Sequence, residues 1–264
     1  MISHIRQVTG LLPQPVRFAL RRAFYAGGAA RCPICGYGVR KWSDHGGGAP
    51  VLERRRVVGG ARRVADSCPI CHGKDRSRLI QLFLQREAGA GVRALRILDF
   101  APDYGLHRWI VAQPKVDYVA ADIDAARYRH IRSFVETDIV NMSFPDDSFD
   151  VIICSHVLEH VPDDAAAMRE LRRVLRPGGA ALLLVPEATD GGPTDEAPGV
   201  VDPAARHERF GQWDHVRLYA RDDFTARLIA QGFSVEAWNP GATDPALAAE
   251  RRLNPDEFLR VARK

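Results

Sequence analysis

Short apolar runs alternate with amphipathic helical segments from Arg96 to the C-terminus, and this restricts the chain to one architecture, a parallel sheet with crossover helices. The runs are ALRILDF (94–100), VDYVAAD (116–122), SFVETDI (133–139), FDVIICS (149–155), GAALLLVP (179–186), GFSVEAW (232–238) and DEFLRVARK (256–264). Helical spacing falls at about 104–113, 163–176 and 221–231. The second of these follows Pro162, has Asp163 or Asp164 to cap it, packs through Met168, Leu171, Val174 and Leu175, and stops at Pro177-Gly178-Gly179. Residues 187–208, rich in Gly, Pro and Asp, read as a long loop after the fifth strand.

Ahead of the sheet the chain changes character. Residues 11–26 space Leu12, Val16, Leu20 and Phe24 four apart among Arg17, Arg21 and Arg22, which predicts a short basic amphipathic helix. Its apolar stripe is expected to pack on its own domain, with a membrane surface as the other choice. Next come the knuckles Cys32-Pro-Ile-Cys35-Gly and Cys68-Pro-Ile-Cys71-His, separated by a glycine-rich loop (His45 to Pro50) and a basic strand-like stretch (Val51 to Ala65). Each knuckle aims two thiolates at one centre, and two knuckles complete a tetrahedral Zn2+ site. With all four thiols bound the site is closed, so the metal is structural, and His45 and His72 are not needed as substitute ligands. The fifth cysteine, Cys154, sits alone in an apolar run. Residues 75–88 have helical spacing at Leu79, Leu82, Phe83 and Arg86 and read as the joint. The expected organisation is a basic helix (1–30), a four-cysteine zinc-ribbon-like module (31–74) and a catalytic domain (75–264).

The net charge of +4 is unevenly shared. Residues 1–96 hold 18 Lys/Arg against 5 Asp/Glu, whereas the remainder is net acidic. A basic N-terminal part suggests an anionic partner: nucleic acid, phospholipid headgroups or a phosphorylated acceptor. No apolar run approaches the ~18 residues of a spanning helix, and the N-terminus does not read as a secretion signal. A cytoplasmic location is therefore expected, with peripheral membrane association left open, and since such a compartment keeps thiols reduced, the paired cysteines favour a metal over disulfides.

The chemistry is expected at the carboxyl ends of the strands, where an open α/β sheet binds ligands. The run RILDFAPDYGLHRW forms the first strand–turn–helix, and VAADID ends the second strand with Asp122, placed 23 residues after Asp99 to accept ribose hydroxyls. Asp138 ends the third strand. Then follow FPDDSFDVIICSHVLEHVPD and LRRVLRPGG. These segments resemble the class I S-adenosylmethionine-dependent methyltransferases, most closely the small-molecule-type branch with FPDxSFDVVxxxxVLEHVPD followed by ELxRVLKPGG. The chain also resembles a bacterial subgroup in which a four-cysteine module precedes this domain. The resemblance implies a Rossmann-like seven-stranded sheet and S-adenosyl-L-methionine as cofactor. It further implies a donor loop containing Asp99, Ala101, Asp103 and Gly105, a ribose contact at Asp122 with Ile123 beside it, and Asp138 and Ile139 flanking adenine. Ser155 and His156 would face the methionine end and the acceptor.

One departure stands out: the family's D-x-G-x-G-x-G is Asp99-Phe-Ala101-Pro-Asp103-Tyr-Gly105, with only the last glycine kept. Asp103 is expected to meet the positively charged donor. Candidate bases are His156, His160 and His215. Glu159 and His160 are expected to begin the next helix and pack or cap locally, while Asp214 and His215, with Arg217 close by, form an Asp–His pair suited to an anionic or hydroxylated acceptor. Three functions compete: methylation of a small molecule or glycan/lipid precursor, RNA methylation with the zinc module gripping RNA, and a non-catalytic zinc-dependent binding protein. Base stacking would need aromatics within the basic patch, and residues 31–73 offer only Tyr37 and Trp42.

Overall fold

The computed structural model describes residues 12–264. Its centre is a seven-stranded sheet in the order β13-β14-β9-β8-β5-β6-β7. These are Ser234–Trp238, Leu259–Arg263, Leu175–Leu184, Phe149–Ser155, Leu95–Phe100, Val116–Asp122 and Phe134–Glu136. All five strands from β9 to β7 run parallel, and only β14 is antiparallel to both neighbours. Alternation of side chains splits each central strand between two cores. Leu95, Ile97, Val151, Ile153, Leu182 and Leu184 face one, and Leu98, Phe100, Ile152, Cys154, Ala181 and Leu183 the other. Cys154 is thus a core residue. The first core is covered by α3 (Asp75–Arg86) and α4 (Tyr104–Val111), the second by α5 (Asp164–Val174) and α7 (Arg221–Ala230). Burying each such Leu or Ile is worth about 1.5–3 kcal/mol, so this double-faced burial dominates the fold.

Ahead of it lie α1 (Gln14–Tyr25), the pairs β1–β2 (Ala26–Arg31, Gly38–Val39) and β3–β4 (Ser43–His45, Arg63–Ser67), and α2 (Pro50–Arg54). The part of the N-terminal helix before Leu12 lies outside the described residues. In α1 the apolar stripe does not pack as expected: Val16 and Leu20 are exposed and Phe24 is 73% exposed. Phe18 is the buried residue instead, wedged against Tyr37 and Tyr104 with the Arg108 guanidinium 4.4 Å over its ring. One aromatic anchor and a cation–π contact therefore hold α1 between the cysteine knuckles and α4.

Two other expectations change. The stretch 51–65 is not one strand, because Pro50 opens a short helix and Arg56 and Gly59, both at positive φ, turn the chain before β4. Residues 187–208 are not a plain loop. Glu187–Ala188 (β10) and Asp195–Glu196 (β11) flank Arg217–Ala220 (β12) in a small sheet, and α6 (Pro203–Phe210) follows. That helix carries its own signals: Asp202 accepts from the Ala205 amide, Pro203 sits at the first turn and Gly211 closes it at φ +88°. The N-terminal segment is fastened to the sheet domain by Arg78, 1% exposed, which donates to Asp66, the Gly73 carbonyl and the Arg252 carbonyl. Trp42 is held between Arg78 and Arg252.

Candidate active site and metal centre

The two knuckles have one backbone design. Gly36 N–H donates to the Cys32 carbonyl at 2.9 Å and His72 N–H to the Cys68 carbonyl at 2.8 Å. The residue after each second cysteine has positive φ, +72° at Gly36 and +62° at His72. The turns bring Cys32 Sγ within 3.8 Å of Cys71 Sγ and Cys35 Sγ within 3.9 Å of Cys68 Sγ, and all four sulfurs lie within 4.8 Å of one another. A tetrahedron with Zn–S bonds of about 2.3 Å has edges near 3.8 Å. The donor set and its spacing therefore fit zinc, with no position left open for substrate.

At the carboxyl end of β5 the chain turns over a cavity of about 440 Å³. Phe100, Ala101, Pro102, Asp103 and Tyr104 form one wall. Ala101 takes φ +50°, a left-handed conformation suited to the glycine of the family pattern. Asp99 is fully buried at the base and accepts a 2.9 Å hydrogen bond from the Tyr118 hydroxyl. Burial pushes its carboxyl up to about 8, against the pull of that hydrogen bond. Asp103 Oδ1 caps α4, accepting from the Gly105 amide at 3.0 Å, and Oδ2 lies 3.8 Å from Lys74 Nζ. Gly105 itself does not line the cavity; a Cβ there would lie 2.8 Å from the Cys71 carbonyl oxygen, so the surviving glycine admits the second cysteine knuckle. Ser155 lines the cavity; Asp122, Ile123, Asp138 and Ile139 do not. Ile123 is exposed and Ile139 is packed in the core, while Asp122 accepts from the Asp124 amide at the tip of β6.

Sequence reasoning missed a second set of lining groups: Gln14 from α1, Lys74 and Arg76 at the start of α3, and Arg127 and Tyr128 after β6. Burial and Arg76 push Lys74 down to about 8, against Asp103. Charge clustering around Lys74-Asp-Arg76 is the only sequence signal these positions carry.

The far wall is a cluster of imidazoles around one carboxylate. His156, at φ +58° directly after β8, has Nδ1 3.2 Å from Glu159 Oε1. Burial and Arg76 push His156 down to about 4 although Glu159 opposes this. Burial alone would raise Glu159, but His156, with His160 and His215 further off, holds it at about 2. His160 and His215 meet edge to face with centroids 4.7 Å apart. Burial lowers His215, which is 5% exposed with an unpartnered Nδ1.

Three expectations are corrected here. Glu159 and His160 form a single 3-10 turn facing the cavity rather than a local cap. Asp214 does not pair with His215; adjacent side chains diverge, and Asp214 accepts from Gln212 and faces His160 Nδ1 through its carbonyl at 3.3 Å and Oδ2 at 3.4 Å. Arg217 is wholly buried, donating to Glu196 and to the carbonyls of Leu158, Val161 and Pro162, and so holds the turn that carries Glu159 and His160.

A second cavity of about 360 Å³ adjoins the cluster. It is walled by Gly46 and Gly47, Gly59 and Gly60, and Pro186, and shares Arg76, His156, Gln212 and His215 with the first. The glycine-rich loop and the turn before β4 are thus one side of a cleft against the sheet domain.

A probable S-adenosylmethionine-dependent methyltransferase of Mycobacterium tuberculosis is 29% identical over 44% of this chain and 40% of its own length. The ubiquinone/menaquinone biosynthesis C-methyltransferase UbiE of Hahella chejuensis is 35% identical over 36% of this chain and 45% of its own. The chain therefore spans less than half the length of these relatives. Among solved structures, the 1,6-didemethyltoxoflavin-N1-methyltransferase of Burkholderia thailandensis aligns over 72% of this chain and 78% of that one, with 17% identity and a TM-score of 0.49. The family described as "Methyltransferase domain" matches residues 72–237, more than half of the chain. The chain belongs to that family.

Proposed function

We propose that the chain is an S-adenosylmethionine-dependent methyltransferase acting on a small molecule or a glycan/lipid precursor. The observation that carries this is one cavity with the β5–α4 loop on one wall and the His156–Glu159–His160–His215 cluster on the other, opening towards a second cavity. In this proposal the donor lies over Ala101 and Asp103, its ribose reaches beyond the cavity lining towards Asp122 and Ile123 at the tip of β6, and its adenine lies outward beside Asp138 and the backbone of Ile139, whose side chain stays in the core. Ser155 and His156 border its methionine end, where Lys74 and Arg76 supply charge for a carboxylate. The bound donor supplies a methyl group already activated on a sulfonium. The protein's share is alignment, exclusion of water and acceptance of a proton. His156 and His215 are the candidate bases, with Asp214 acting through His160. The acceptor occupies the cleft between residues 46–60 and the sheet domain.

Zinc at Cys32, Cys35, Cys68 and Cys71 is proposed as structural; it stiffens a small module with little core of its own and so fixes the cleft's outer wall. A small acceptor is favoured over RNA by the state of the two aromatics in the basic region. Trp42 is 6% exposed between two guanidinium groups, and Tyr37 is packed by Phe18 and Arg22, so neither offers a stacking face. Among the described residues no helix is long and apolar enough to cross a membrane. A crystal structure grown with S-adenosylhomocysteine tests the proposal: the nucleoside product should fill the larger cavity along Ala101–Asp103, and product bound elsewhere, or nowhere, would overturn it.

A further inference from the structure

Glu159 is 1% exposed, and both of its carboxylate oxygens lack a hydrogen-bond donor. His156 Nδ1 approaches Oε1 at 3.2 Å, but not with the geometry of a hydrogen bond. An ionised carboxylate in such a place costs several kcal/mol unless a cation meets it. No Lys or Arg does so among the described residues. What surrounds Glu159 is imidazole: one ligand atom from each of Glu159, His160 and His215 lies within 4.8 Å of the others.

We propose that Glu159, His160 and His215 form a second metal site, which holds one divalent cation and through it the oxygen of a hydroxyl-bearing acceptor. The substrate class deepens the methyltransferase proposal and rests on it; the cation site stands on the cluster alone. Three features point to a ligand rather than to packing. Two imidazoles and one carboxylate leave coordination positions open, unlike the closed four-thiolate site. His160 Nδ1 faces the Asp214 carbonyl and carboxylate, the outer support that fixes a metal-binding ring and leaves Nε2 free to ligate. His215 is buried with Nδ1 unpartnered, a cost that coordination removes. All three residues line the larger cavity, and His215 lines the smaller one too, so the open positions face both donor and acceptor.

The chemistry follows from that placement. An acceptor hydroxyl bound to the cation becomes more acidic. Its proton passes to Nε2 of His156, which is buried and unpartnered, so that His156 takes the proton and His215, with its nitrogen on the cation, does not. The oxygen lone pair forms the O–C bond to the donor methyl, and the electrons of the breaking C–S bond return to sulfur as a neutral thioether.

The test uses the full chain with its thiolate site loaded with zinc, which hard Mn2+ does not displace. Mn2+ is titrated in and followed by loss of its free EPR signal, with S-adenosylhomocysteine titrated in parallel. One Mn2+ per chain is expected, with imidazole nitrogen couplings in pulsed EPR. Glu159→Gln and His160→Ala should each weaken uptake at least tenfold while zinc stays at one per chain. Absence of bound Mn2+ at millimolar concentration, or uptake unchanged in both variants, overturns the cation site. If Mn2+ binding fails while the nucleoside still binds, the methyltransferase proposal survives. If Mn2+ binds but the nucleoside does not, the cation site stands and the methyltransferase proposal, with the acceptor class resting on it, falls.

Discussion

Replacing Gly105 by alanine separates two accounts of the glycine that the donor loop retains. In the first turn of α4 an alanine should help, by up to about 1 kcal/mol of helix propensity. In this fold its Cβ would lie 2.8 Å from the Cys71 carbonyl oxygen, 3.1 Å from Cys71 Sγ and 3.2 Å from Cys71 Cβ. These are the carbonyl, Cβ and Sγ of a buried cysteine in a tight turn and cannot swing away as the tip of a flexible side chain can. Overpacking of this kind costs about 1–3 kcal/mol. Even with the full propensity gain set against it, the steric cost leaves a net loss of up to about 2 kcal/mol, concentrated where the knuckle docks on α4. Two assays read it together, thermal melting and the rate at which a chromophoric chelator strips zinc. Gly105→Ala should melt lower and release zinc faster. A higher melting temperature with unchanged zinc release would refute the reasoning, since propensity alone would then describe the site.

Cys68→Ser should reduce zinc from about one per chain to nearly none and make residues 30–75 sensitive to protease, while the seven-stranded sheet keeps its circular dichroism; retained zinc contradicts the four-thiolate assignment. Ala101→Gly removes a left-handed strain of about 1–2 kcal/mol at an entropic cost of about 0.5–1 kcal/mol. The melting temperature should rise by about 1–3 °C, and a fall would show that Cβ contacts matter more than φ. Asp99 carries a pH signature. Burial, opposed by the Tyr118 hydrogen bond, pushes it up to about 8, whereas the unfolded chain releases that proton near pH 4. The folded state thus binds more protons between these values, and stability falls as pH rises from about 4 to 8. Asp99→Asn should flatten this part of the urea-midpoint profile, and an identical slope in the variant would contradict it.

The sheet was legible because its strands are buried on both faces. Runs such as LRILDF and FDVIICS are apolar enough to be found without tertiary context, and the knuckles announce themselves by spacing. Positions set by tertiary packing were less readable. In α1 the periodic stripe Val16–Leu20–Phe24 faces outward, because Phe18 is the residue that fits between Tyr37 and Tyr104. The helix at Pro203 was overlooked although Asp202, Pro203 and Gly211 mark both its ends. At the site, chain neighbours misled. Asp214 and His215 are adjacent in sequence yet serve different partners, and Glu159 gained its role only when a distant turn brought His215 beside it. Lys74 and Arg76 reach the cavity because the second cysteine knuckle runs directly into α3 and the start of that helix lies over it, which no local pattern encodes.

Calorimetric titration of S-adenosylhomocysteine into the zinc-loaded chain tests the central claim most directly. One site per chain is predicted, and Asp122→Ala should weaken it by about 1.5–3 kcal/mol, the scale of hydrogen bonds that involve a charged group. A binding isotherm that is unchanged in the variant would move the ribose contact elsewhere. No binding at all to the wild-type chain would contradict the assignment of the cavity beneath Ala101 and Asp103 as a methyl-donor site.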